Sequence, residues 1–189
     1  MAPHDLPKQQ LPGGVVGIDA AQIKIEAGQT YHYLYSAVHR AHKEAPGIWT
    51  IQECTRIMTS IMAAKPFSWR VVGITEAALK KFSEFNFRYK SGAGITRAHL
   101  KPRIETVRTL LAPSEPLSEV EFLNIWLQND TTVLCVSGEN KTTVPKFIAF
   151  ENSDGELFSC HRVLAGWRHR RREQDHLRNL FDRGPQRVA

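Results

Sequence analysis

The sequence predicts an α+β protein, in which an N-terminal helical hairpin and further helices pack on a small, mostly antiparallel sheet, with a basic C-terminal helix. Helical hydrophobic periods dominate the first two thirds of the chain, and most strand-like segments follow residue 130. Separate runs of helices and strands favour α+β over a doubly wound parallel sheet. The length of 189 residues fits one domain over residues 15–183, between a flexible leader at 1–14 and a frayed tail at 184–189.

The helical hairpin is predicted by two amphipathic segments, at residues 30–43 and 51–63, which Pro46 and Gly47 separate. Apolar residues recur at helical spacing along the second segment. Thr50 is followed three residues later by Glu53, the signature of a capping box at a helix start. We therefore expect the second helix to be the best-defined element of the chain.

The middle of the chain predicts one strand and three further helices. Thr75 is a suitable N-cap, Pro102 favours a helix start just after it, and Ser118 with Glu121 forms a second capping-box pattern. The predicted elements in chain order are a strand at 69–74, a helix at 76–86, a turn at 96–100, a helix at 103–111 and a helix at 119–128.

The last third predicts three strands and one helix. Residues 131–136, 146–150 and 156–160 have strand character, and the turn-forming segment 152–155 predicts a hairpin between the last two. The stretch 163–181 is helical in pattern and rich in arginine.

Composition excludes several classes of protein. The first residues lack the basic and apolar regions of a signal peptide, and no apolar run reaches the roughly 20 residues of a membrane helix. The three cysteines are widely spaced without a C-x-x-C pair, which disfavours a disulfide framework or a zinc ribbon. We therefore expect a soluble, cytoplasmic protein without a membrane partner.

The charge is strongly segregated along the chain. Residues 65–111 carry a net charge of +7, residues 112–158 carry −6 and residues 159–189 carry +5. Such asymmetry is typical of proteins that bind nucleic acid or another polyanion. The alternative is that the acidic block pairs with the basic blocks and leaves no net patch.

The first candidate binding segment runs from Phe85 to Arg108. Its cations lie beside a glycine-containing loop, and aromatic residues alternate with cations near Tyr89, a pattern that suits phosphates and unpaired bases. The S-G-A-G loop does not match a phosphate-binding nucleotide motif. The predicted phosphate contacts of this segment are Arg88, Lys90, Lys101, Arg103 and Arg108.

The second candidate binding segment is the run that starts at Arg168. Arginine is almost never buried without a partner, so a helix carrying this run must expose part of it. The predicted contacts here are Arg168, Arg170, Arg171 and Arg172. The alternative is a solvated helix neutralised by its own acidic residues.

Two arrangements are candidates for phosphodiester cleavage. Asp130, Glu139 and Lys141 follow the loose order of a metal-dependent nuclease, which would use Mg²⁺, although Glu139 and Lys141 also suit a polar hairpin turn. His99 with Arg97, and also His161, would instead act without a metal, as general acid or base beside a charge-stabilising arginine. If the protein cleaves, we expect His99, Arg97, Glu139, Lys141 and His161 to converge in one cleft.

These observations predict a nucleic-acid-binding protein and leave open whether it is also a nuclease that cleaves DNA or RNA. The alternative is a non-enzymatic DNA-binding regulator or adaptor. In that case helix 76–86 and the segment after it would form a loose helix-turn-helix, and the acidic block 115–156 would bind a protein partner. The sequence identifies no cofactor and no resident metal site.

Overall fold

The computed structural model describes residues 28–63, 65, 67–139, 145–150, 157–159 and 167–184. The predicted leader at 1–14, Lys141, His161 and the tail from residue 185 lie outside these ranges. The elements in chain order are α1 (Gly28–Glu44), α2 (Ile51–Met62), β1 (Arg70–Ile74), α3 (Glu76–Ser83), β2 (Ile95–His99), α4 (Arg103–Leu111), α5 (Glu119–Asn129), β3 (Thr131–Val136), β4 (Ile148–Ala149) and α6 (Arg171–Asp182). The α+β prediction is confirmed.

Four helices, α1, α2, α4 and α5, form a helical unit with its own apolar core. The Tyr35 ring stacks on Phe122 with centroids 4.5 Å apart. Its hydroxyl donates to the Leu110 carbonyl and accepts from the Leu117 N–H, at 2.9 and 3.0 Å. One fully buried side chain therefore ties α1 to α4 and to the segment before α5.

The two predicted capping boxes formed to different extents. Ser118 and Glu121 satisfy each other's backbone donors at the start of α5. Thr50 accepts from the Glu53 N–H, whereas the Glu53 side chain pairs with Arg56. The box at α2 is therefore only half complete, because an ion pair one turn along the helix competes for the carboxylate.

The sheet has the strand order β2-β3-β1-β4. β1 and β3 pair in parallel at the centre, and β2 and β4 add antiparallel strands at the two edges. The sheet is thus mixed. The long connection through α3, β2, α4 and α5 lets β3 run in the same direction as β1. One face packs against α3 and α6, in the cluster that includes Leu134 and Phe82, and a smaller cluster around Val133 and Cys135 lies on the other face.

Three predictions about local structure were wrong. Residues 95–99 form strand β2 rather than a turn, because main-chain pairing with β3 overrides a weak local pattern. Residues 157–158 lie in a turn, with Phe158 at a positive φ of 54°, so no strand occupies that position and the predicted 146–150/156–160 hairpin is not formed there. The C-terminal helix begins only at Arg171, so Arg168 precedes it.

The predicted helix-turn-helix is also absent from this part of the chain. The helix predicted at 76–86 ends at Ser83, and the next element is strand β2 rather than a second helix. None of the helices within the described ranges is long and apolar enough to cross a membrane.

Candidate nucleic-acid interface

A tight turn after α3 carries residues 88–90 to the surface. Asn86 and Phe87 both adopt positive φ, 52° and 58°, and the Phe87 N–H bonds to the Phe82 carbonyl at 2.8 Å. Phe87 is buried, whereas Tyr89 is 46% exposed. The turn thus makes Phe87 a core anchor and Tyr89 a surface ring.

The C-terminal segment packs directly against this turn. The Tyr89 and Trp167 rings make an edge contact with centroids 5.1 Å apart. The His169 ring stacks on Phe82 at 5.1 Å and bonds through Nε2 to the Phe87 carbonyl at 2.7 Å. Two stretches separated by nearly eighty residues therefore form one surface. We call it the basic-aromatic surface, and it comprises Arg88, Tyr89, Lys90, Trp167, Arg168, Arg170, Arg171 and Arg172.

The basic-aromatic surface carries six cationic side chains. Arg168 is half-buried and the other five are exposed, with the Arg171 side chain 93% accessible and 3.7 Å from Asp175. Arg170, Arg171 and Arg172 occupy the N-cap and first turn of α6. Cations are electrostatically unfavourable at that end of a helix, so the fold places positive charge where helix stability alone would not favour it.

The uncharged imidazole of His169 fixes the C-terminal segment against the turn after α3. Burial lowers the pKa of His169, although the bond to the Phe87 carbonyl and the nearby Glu173 carboxylate oppose this shift. The Trp167 Nε1–H lies 3.4 Å from His169 Nδ1. An imidazole that donates from Nε2 and accepts at Nδ1 satisfies both contacts only when it is uncharged.

An open concavity of about 610 Å³ lies along α6 and adjoins the basic-aromatic surface. It shares Arg171 and Arg172 with that surface, and its other lining residues are Leu157, Asp175, His176 and Asn179. Burial, then the charges of Arg172 and Arg183, lower the pKa of His176. Beyond the two shared arginines, the concavity therefore adds a carboxylate and uncharged groups, and its positive charge comes from Arg171 and Arg172 alone.

Other predicted site residues form a separate, buried cluster around Asp130, which immediately precedes β3. Asp130 is 2% exposed and accepts from Arg103 Nη2 and from the Trp69 N–H, both at 2.9 Å. His99 Nε2 lies 3.4 Å from the same carboxylate. Arg97 lies 4.6 Å from the Trp69 ring centroid and Arg103 lies 4.5 Å from it.

Burial alone would raise the pKa of Asp130, but His99, the Arg103 charge and the Trp69 N–H together hold that pKa below its usual value. The carboxylate is therefore ionised and neutralises part of the surrounding positive charge. Arg97 and the Arg103 side chain are each at least nine-tenths buried. Arg103 consequently links the start of α4 to Asp130 before β3 and to Trp69 before β1. It does not belong to an open phosphate-binding surface.

The remaining predicted cations lie elsewhere. Arg108 is on α4 and pairs with Glu105 at 2.8 Å, one turn away on the same helix. Lys101 is half-buried in the link between β2 and α4. Neither belongs to the basic-aromatic surface. The predicted segment 85–108 therefore contributes residues 88–90 to that surface, whereas its last residues belong to α4 of the helical unit.

The proposed cleavage residues do not all converge. His99 pairs with Thr132 at the start of β3, whereas Glu139 follows the end of that strand and accepts from Thr75 and from the Val136 N–H. The six residues of β3 span about 20 Å. Asp130 and Glu139 therefore cannot share a metal ion. Arg97 and His99 do lie together, two residues apart on β2.

No metal centre or cysteine nucleophile is formed within the described ranges. They hold no group of three or more His, Cys, Asp or Glu side chains placed to bind a metal ion. Cys54 and Cys135 are both buried. Burial, aided by the Glu139 charge, raises the pKa of Cys135 to about 11, so its thiol stays protonated near neutral pH.

Two residues of these sites were not predicted as functional from the sequence. Trp69 was assigned only to a strand, and Trp167 only to the apolar side of a helix. The signal for Trp167 was its position immediately before the arginine run, as in the alternation around Tyr89. Trp69 precedes only a single cation, Arg70, and the two arginines that lie over its ring come from the distant positions 97 and 103.

The comparisons with protein-family models, with curated proteins and with solved structures found no match for this chain.

Proposed function

We propose that the protein binds nucleic acid through the basic-aromatic surface. The observation that carries the proposal is the contact between Tyr89 and Trp167, which unites the two positively charged stretches of the sequence. Phosphate contacts by arginine and lysine supply most of the affinity of sequence-independent nucleic-acid binding. Aromatic rings among the cations favour nucleic acid over a polyanion without bases.

No carboxylate of the acidic block that the structure describes is ion-paired with the basic-aromatic surface. Of the ion pairs formed between described residues, only those of Asp130 with Arg103 and His99 join the acidic block to a basic one. Glu121 caps α5, and Glu139 bonds at the end of β3. These local roles also give little support to a protein partner that binds residues 115–156 as one surface.

The arrangement of charges at α6 supports the same conclusion. Three arginines, at its N-cap and in its first turn, repel one another and the positive end of the helix dipole, and Glu173 is the acidic residue there. A bound phosphate would offset both the repulsion among the arginines and their repulsion by the helix dipole. Sequences that break a local rule of helix stability commonly do so at a functional site.

The test measures binding of labelled DNA and RNA oligonucleotides at two salt concentrations. If four of the six cations contact phosphates, the slope of log K against log salt should be about −3 to −4. The variant Arg170→Ala/Arg171→Ala should bind about tenfold or more weakly, with a slope shallower by about two. A slope near zero for the wild type would refute the proposal.

A matched control removes the same charge elsewhere. Arg40 and Arg56 are exposed arginines on α1 and α2 of the helical unit. The variant Arg40→Ala/Arg56→Ala should bind like the wild type if the basic-aromatic surface is the site. An equal loss in both variants would mean that net charge, and not this surface, determines binding.

Cleavage is a second candidate activity, which the pairing of His99 with Asp130 beside Arg97 favours. A histidine held by a carboxylate next to an arginine suits metal-independent phosphodiester chemistry. The test is incubation with plasmid and structured RNA in magnesium or in EDTA. Cleavage that persists in EDTA and is lost in His99→Ala would support this activity, and intact substrates throughout would reject it.

A further inference from the structure

The basic-aromatic surface combines a fixed, exposed ring with charges that suit a nucleic-acid backbone. Resting on the proposed function, we infer that its ligand is single-stranded nucleic acid, with one unpaired base stacked on Tyr89. Stacking on an aromatic ring accepts any base, because every base has a flat face. The inference therefore concerns the strandedness of the ligand and not its sequence.

Tyr89 is preorganised for such a contact. It is 46% exposed, and its ring lies 5.1 Å from Trp167 and 6.1 Å from His169, centroid to centroid. His169 is in turn stacked on Phe82 and bonded to the Phe87 carbonyl. A ring that its neighbours already hold in place loses little conformational entropy when a ligand binds.

Cations flank the ring along the chain and across the surface. Arg88 and Lys90 are the exposed neighbours of Tyr89 in sequence, and Lys90 Nζ lies 5.1 Å from the Phe85 ring centroid. Arg170 and Arg171 lie beyond Trp167, at the start of α6. A strand bound at Tyr89 would thus have cations available from both of the segments that meet there.

The same geometry is unfavourable for a duplex. Bases in a duplex are paired and stacked on each other, so a base can reach Tyr89 only after it is extruded, at a cost in free energy. Duplex readers instead place a helix or a pair of strands in a groove. Here the cations cluster on a turn and on the first turn of α6, and the helix-turn-helix predicted after α3 is not formed.

The test compares Tyr89→Ala with Tyr33→Ala in the full-length protein, because Tyr33 is a comparably exposed tyrosine, 62% accessible, on α1. Fluorescence anisotropy would follow labelled 15-nucleotide single strands of DNA and of RNA, and a DNA duplex of the same sequence. Loss of one base stack should weaken binding of Tyr89→Ala to single strands by about 5- to 150-fold. The salt slope should not change, since no phosphate contact is removed.

Three further results should accompany this loss. Tyr33→Ala should bind like the wild type, Tyr89→Phe should retain the affinity because it keeps the ring, and Tyr89→Ala should bind duplex as the wild type does. Comparison of the affinities for the RNA and the DNA single strands shows which of the two nucleic acids the surface prefers.

Tighter binding of wild-type protein to duplex than to single strands would overturn the inference. Unchanged single-strand binding by Tyr89→Ala would also overturn it. If Arg170→Ala/Arg171→Ala loses affinity in that case, the proposed function survives and only the stacking inference fails. Absence of salt-dependent binding to every oligonucleotide would remove both.

Discussion

Replacing Asp130 with alanine is expected to destabilise the protein by about 3–5 kcal/mol, because truncation leaves Arg103 as an uncompensated buried charge. Asp130 is 2% exposed, accepts hydrogen bonds from the Trp69 N–H and from Arg103, and lies 3.4 Å from His99 Nε2. The orphaned backbone N–H alone accounts for about 1–3 kcal/mol of this loss. A domain is typically stable by about 5–15 kcal/mol, so the change removes a large part of the total.

Urea unfolding followed by tryptophan fluorescence measures this loss. With an m value of about 2 kcal/mol/M, a loss of about 4 kcal/mol lowers the midpoint by roughly 2 M. Asp130→Asn should be intermediate, because it keeps an acceptor for the Trp69 N–H but loses the charge. Asp175→Ala is the matched control. This exposed carboxylate pairs with Arg178 at 3.4 Å and with Arg171 at 3.7 Å, and such pairs contribute below about 1 kcal/mol.

The reasoning would be refuted if Asp130→Ala lowered the midpoint no more than Asp175→Ala. The pH dependence gives a second check. The folded-state pKa of Asp130 is below its ordinary value of 3.8, so its contribution is complete above that pH and is lost as the pH falls through the folded-state pKa. The difference between the wild type and Asp130→Ala should therefore be constant from about pH 5 to 8 and shrink below about pH 4.

Four further outcomes are expected. Tyr35→Phe removes a hydroxyl that serves two backbone groups and should cost about 1–3 kcal/mol in urea unfolding. Ser118→Ala removes the capping box of α5 and should cost about 0.5–2 kcal/mol by the same measurement, whereas Thr50→Ala, whose box is half complete, should cost less. A Cβ at Gly73 would lie 2.6 Å from the Ile148 carbonyl oxygen, so Gly73→Ala should lower the melting temperature, with about 1–3 kcal/mol lost. Burial lowers the pKa of His169 and of His176. The folded protein therefore disfavours their protonation, so the free energy of unfolding is highest above the unfolded-state pKa of about 6.5 and falls as the pH drops toward 5. Urea unfolding at pH 7 and at pH 5 would detect this change.

Much of the helical structure was predictable from the sequence. The segment 103–111 was predicted to the residue, and the starts of α2, α3 and α5 were each marked by a capping residue, Thr50, Thr75 and Ser118. These signals are local, because a cap and an apolar stripe act within one or two turns of the chain. The strand at 131–136 was equally clear, since a continuous apolar run needs no distant partner to be recognised.

Strand β2 was not predictable in the same way. Its sequence, Ile-Thr-Arg-Ala-His, places two cationic or titratable residues on one face, which is typical of a surface turn. In the structure, pairing with β3 makes it a strand, and Asp130 and Trp69 accommodate Arg97 and His99. Those partners are close only after the chain has folded.

The sequence by itself determined the amount of charge, its segregation into blocks, and the positions of most helices, because these depend on composition and on neighbours within a few residues. It could not determine which cations face solvent. Tertiary structure brought Tyr89 beside Trp167 to make one positive surface, and it buried Arg97 and the Arg103 side chain against Trp69, with Arg103 paired to Asp130. The reason is physical: whether an arginine is available to a ligand depends on the desolvation and pairing of its guanidinium group, and both are set by residues distant in the chain.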